Sequence, residues 1–231
     1  MQNTASQHGI VDRGPAAGRL NAPGTEATPT FRRIAGVCSL LAAIVGVLYT
    51  VTFAIYVKKG YHWAHWASAV AAMIGGLVVV PVLVALHAKL CRNEPQIAAI
   101  AFVVGIVGAL GATIHGGFDL AVLSHPLASI DANAPSQIDP RGLLTFAFVG
   151  AALGLLGLLA LRDRALPRRC AQTGVAAAVM LFVVYFGRLI ALDPNANAIR
   201  VSALVAGLVV VPAFYLQLAR VLLRSSEQVT A

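Results

Sequence analysis

Residues 97–123 read IAAIAFVVGIVGALGATIHGGFDLAVL, a run without a single Lys or Arg and with one carboxylate, Asp119. A helix needs about 20 apolar residues to cross a hydrocarbon core of ~30 Å, and this run is longer than that. It shows no alternation at every second residue, which argues against the ~10-residue strands of a membrane barrel. Comparable runs lie on either side, at 34–57, 67–90, 143–161, 172–192 and 199–223. The sequence therefore predicts an all-α, polytopic membrane protein with six transmembrane helices in one bundle spanning residues 31–224.

Composition agrees. The chain of 231 residues is 58% hydrophobic and 11% charged, and its mean hydropathy is +0.80. Soluble domains carry about 25% charged residues, so the bilayer is the natural solvent here. Residues 1–30 differ: they are rich in Pro, Gly, Ala and Thr with no periodic apolar face. A disordered N-terminal tail is expected there, and a short C-terminal tail at 225–231. No short apolar run with a small-residue cleavage site precedes the first span, which is expected to double as an uncleaved anchor.

The formal charge of +8 does not point to nucleic acid, because the basic residues flank apolar runs instead of lining a soluble face. With six spans, twelve of the seventeen Lys and Arg fall on the side of both termini and four on the other, Arg188 lying within a span. That bias predicts cytoplasmic termini and a bacterial inner-membrane location. Cys38, Cys91 and Cys170 all sit at span ends on the same predicted inner side. Reduced thiols that pack as small apolar groups are expected, with no disulfide.

Two stretches repeat. GGLVVVPVLVALHAKL (75–90) returns as AGLVVVPAFYLQLARVL (206–222), aligning Pro81 with Pro212. Arg32-Arg33 precedes Tyr49 by the same sixteen residues that separate Arg168-Arg169 from Tyr185. A duplicated helical hairpin accounts for both, and each proline is expected to kink its helix. Phe31-Arg32-Arg33-Ile34-Ala35-Gly36 opens the first span, and Arg162 followed by Ala165-Leu166-Pro167-Arg168 leads into the fifth. On these motifs and the six-span plan the chain resembles, over residues 31–223, bacterial membrane proteins of the domain of unknown function 4386 family. It departs from them at Val37-Cys38-Ser39, where such proteins often carry an aromatic residue. The resemblance implies an architecture and no reaction.

The polar residues sort by side. His62 and His65 lie in the connection before the second span, His115 and Asp119 in the outer third of the third span, and His125 just past its end. Arg188 is near the outer end of the fifth. All collect toward the outer face, predicting a polar site there. His115 and Asp119, four apart, share one helix face, so the carboxylate can orient the imidazole or both can bind a ligand or carry a proton. A metal held by some of His62, His65, His115, Asp119 and His125 is the alternative, although the spacing is not that of HExxH. Structural pairing or interfacial solvation is the plainer reading, since Asp119 is about 6 Å of helix rise from the end of its run. Arg188 can likewise snorkel to the interface.

Small residues at Gly108, Ala112 and Gly116 in the third span, and Gly150 and Gly154 in the fourth, predict close packing of those two helices. P-loop, GxGxxG and nucleophile-elbow patterns are absent. Three functions stay open at this level: binding or transport of a lipid or small hydrophobic molecule, a metal- or haem-dependent membrane enzyme, and a scaffold that associates with a partner membrane protein or a second copy. Membrane lipids are the expected surroundings in each case.

Overall fold

The computed structural model describes residues 27–125, 143–191 and 197–227, the side chains at 188–191, 198 and 225–227 lying outside that description. Six helices are long and apolar enough to cross a membrane, as the hydropathy runs predict, and the chain is a multi-pass membrane protein. α1 is Pro29–Lys59, α2 His62–Leu90 and α3 Pro95–Ser124. The fourth span begins as a π-helical turn, Leu143–Phe148, and continues as α4, Val149–Asp163. α5 is Arg168–Ala191. The sixth span joins α6, Asn197–Val205, through a π-helical stretch, Ala206–Val210, to α7, Val211–Glu227. Six crossings return the chain to the face from which it started, the terminal face; the other is the far face.

Local chemistry sets the ends. Thr28 caps α1 by accepting from the Phe31 amide at 3.2 Å, with Pro29 at the first turn, where its missing N–H costs nothing. Gly60, at φ 69°, closes α1 in the left-handed conformation, which glycine enters without steric cost. That tight turn starts α2 at His62, five residues before the apolar run at 67–90. His62 and His65 are thus on the helix itself and not in a connection.

Each span packs on its neighbours in sequence, and α1 also packs along α7, so the bundle closes as a ring. Its aliphatic core belongs to the terminal half: Leu83, Leu86 and Leu90 of α2 cluster with Leu153 and Leu156 of α4 and Leu218 and Leu222 of α7. Ser39 donates a buried hydrogen bond to the Tyr215 carbonyl at 2.8 Å, tying α1 to α7 in that layer. Toward the far face α1 and α2 bury small residues, Thr52, Ala64, Ser68 and Ala69 among them, while the fifth and sixth spans bury Val184 and Ile199.

The repeated hexapeptide GLVVVP takes two backbone forms. α2 runs through Pro81 as an unbroken α-helix. In the sixth span the hexapeptide's first four residues, 207–210, lie in the π stretch, where the Val211 amide reaches back to the Ala206 carbonyl just before Pro212. Proline supplies no donor to the turn before it, and an inserted residue is one way to accommodate that. Identical local sequence cannot explain the difference. The surroundings differ: Gly207 is pressed onto the Thr50 side chain of α1, whereas Gly76 lies against Ala109 and Thr113 of α3.

Candidate functional site

α2 and α3 run antiparallel and touch backbone to backbone. A Cβ on Gly76 would strike the Ala109 carbonyl and the Thr113 side chain, and one on Gly116 would strike the Ala69 carbonyl and the Met73 amide. Lipid offers no hydrophobic drive for helix association, so close approach of small residues supplies the dispersion contact instead. These contacts also lock the register. One turn beyond the Ala69–Gly116 contact, toward the far face, come His65 on α2 and Asp119 on α3.

The polar cluster follows from that register. His115 Nε2 lies 3.5 Å from Asp119 Oδ2, and His65 Nε2 lies 4.0 Å from the same oxygen. Side-chain exposures of 19%, 18% and 24% for His115, His65 and Asp119 leave the group mostly enclosed yet reachable. Tyr56 of α1 stacks on His65, ring centroids 3.9 Å apart at 15°. Three helices therefore contribute to one site, each within about two turns of its far end. Asp119 stands roughly 36 Å along α3 from Pro95, at 1.5 Å per residue, which places it where a ~30 Å hydrocarbon layer gives way to headgroups. An ionisable group at the midplane would be costly to hold; at this depth water and polar heads reach it.

The remaining predicted residues separate. His62 is exposed and faces Trp66, rings 6.3 Å apart, and His125 is exposed at the end of α3. Among the described residues no group of three or more His, Cys, Asp or Glu is arranged to hold a metal ion. Arg188 belongs to α5, but its side chain lies outside the described residues. Of the small residues, Gly108 does meet the fourth span, at Val149, as do Gly105 and Gly111, with Ala112 half-buried beside them. Gly116 instead faces α2, and Gly150 and Gly154 face α5 at Ala178. A four-residue step drifts by about 40° on a 3.6-residue helix, so eight residues carry the row from one neighbour to the next.

Tyr56 was not legible as a site residue. Its signal is the aromatic row at the far end of α1, where Tyr49 stacks on Phe53 at 5.6 Å and Phe53 leans on Tyr56 at 6.4 Å.

What the arrangement can do is hold a polar head. A carboxylate oxygen flanked by two imidazoles offers both an acceptor and donors. The 4.0 Å gap from His65 is too long for a direct hydrogen bond, and a hydroxyl between the two atoms would bridge it. Compared with family models, with curated proteins and with solved structures, the chain matches none.

Proposed function

We propose that this chain is a multi-pass protein of a bacterial cytoplasmic membrane, with both termini inside, that binds or moves a lipid or small hydrophobic molecule at the outer leaflet. The observation that carries the reading is the convergence of Tyr56, His65, His115 and Asp119 from three spans at the far end of the bundle. The apolar side chains around it suit a hydrocarbon tail. Phe53, Ile114 and Phe118 present their surfaces outward on α1 and α3, beside a polar group able to take a hydroxyl or amine head. Six spans with so few intramembrane polar groups offer little to a wholly hydrophilic substrate.

A long-chain alcohol carrying a diazirine next to its hydroxyl tests this on the full chain in detergent. Photolysis is expected to label peptides containing Tyr56 to His65 and His115 to Ser124, and an excess of the unmodified alcohol to suppress the labelling. Labelling spread along all six spans without competition would sink the proposal.

Orientation rests on the Lys and Arg bias, with the terminal face inside. In a variant whose three cysteines are replaced by alanine, His125→Cys is expected to react with an impermeant maleimide on intact cells, and Arg164→Cys only after lysis. The reverse pattern would invert the protein in its membrane.

A further inference from the structure

The terminal face carries a second polar concavity. The turn between α2 and α3 and the turn between α4 and α5 lie side by side, joined by Arg162 Nη1 to Glu94 Oε1 at 2.7 Å. Between them opens a cleft of about 290 Å³ lined by Lys89, Arg92, Asn93, Asp163 and Ala165. Two buried leucines anchor the turns: Leu90 and Leu166, next in sequence to Lys89 and Ala165, are 1% and 6% exposed. Arg164 closes α4 in the left-handed conformation, φ 52°, and the chain turns there beside the cleft.

Charge decides what this cleft takes. Residues 89–94 and 161–169 carry six Lys and Arg against two carboxylates, and Glu94 is engaged by Arg162. Lys89, Arg92 and Asn93 are exposed, so three donor side chains face the space around the cleft mouth. Lys89 is in the last turn of α2 and Arg92 and Asn93 follow just past its end, which sets them at headgroup depth. Asp163 gives the site a second requirement. A headgroup ending in a bare phosphate would meet that carboxylate, whereas one with free hydroxyls would donate to it.

We infer that this cleft binds an anionic phospholipid whose headgroup carries hydroxyls, with the phosphodiester against Lys89 and Arg92 and a hydroxyl on Asp163. The shared chemistry is that of a phosphate ester, whether lipid-borne or free. The test is native mass spectrometry of the full chain in a neutral detergent, titrated with phosphatidylglycerol, with phosphatidylcholine and with glycerol 3-phosphate. Phosphatidylglycerol is expected to be retained at one molecule per chain at concentrations where phosphatidylcholine is not. The Lys89→Gln/Arg92→Gln double variant is expected to lower that retention at least tenfold, and Lys58→Gln/Lys59→Gln at the far face to leave it unchanged. Asp163→Ala, which leaves no side-chain acceptor, is expected to keep phosphatidylglycerol but lose its preference over phosphatidylmethanol, which has no hydroxyl; this arm does not depend on the stability of the double variant. Equal retention of phosphatidylcholine and phosphatidylglycerol, or full retention by the double variant, would overturn the inference. Displacement of the lipid by millimolar glycerol 3-phosphate would assign the cleft to a free phosphate ester and overturn the lipid assignment.

Discussion

Gly116→Val is expected to cost the bundle about 3 kcal/mol or more, the upper part of the range for overpacking. The added side chain would meet the Ala69 carbonyl and the Met73 amide. Both are backbone atoms of α2, so no rotamer change can make room, and α2 must slide or separate from α3. The neighbouring position provides the control, because a Cβ on Gly117 meets nothing within 4 Å. Gly117→Ala should be neutral or stabilising by roughly 0.5–1 kcal/mol, through the lower entropy of the unfolded chain. Thermal unfolding of the two variants in the same detergent checks the pair. Equal melting temperatures would mean that the α2–α3 contact does not set the register.

The second large effect concerns Asp119. Asp119→Asn is expected to leave stability within about 1 kcal/mol, the size of an ordinary net hydrogen bond, while lowering probe binding at least tenfold, or about 1.4 kcal/mol. The carboxylate is 24% exposed and lies near headgroup depth, so its loss strands no deeply buried charge. The probe, in contrast, exchanges a charged carboxylate for the weaker, neutral acceptor of an amide oxygen. His115→Ala and Asp119→Ala are expected to reduce binding alike, and the double variant no further than either, because the two groups share one contact at 3.5 Å. His65→Gln, whose imidazole stands at 4.0 Å, should have the smaller effect. If the cluster serves only to tie α2 to α3, the outcome reverses: stability falls with each substitution and binding follows stability.

The spans were legible because hydrocarbon thickness imposes a length that the apolar runs display directly. The start of α2 was not, since YHWAHW reads as an interfacial connection until Gly60 is seen to close α1 two residues before His62. His115 and Asp119 could be paired from spacing alone, being one turn apart on one helix. His65 could not, because its place opposite Asp119 depends on the stagger of two helices, and that stagger is set by which atoms Gly76 and Gly116 admit. The same limit explains the glycine row. Spacing of four identifies a small-residue surface, but the angular drift along it decides which neighbour each residue meets, and Gly116 turns to α2 while Gly108 turns to the fourth span. The GLVVVP repeat marks the limit from the other side, one hexapeptide having two backbone outcomes, with α3 against Gly76 and α1 against Gly207.

On the proposed function, spans one, two and three build one site for an amphipathic molecule around Asp119. Saturation binding of the photoreactive long-chain alcohol to the full chain and to Asp119→Asn, each shown to be folded by its melting temperature, tests it most directly. One saturable site per chain is expected in the native protein, with its affinity lowered at least tenfold in the variant. Identical saturable binding in the two proteins would contradict it.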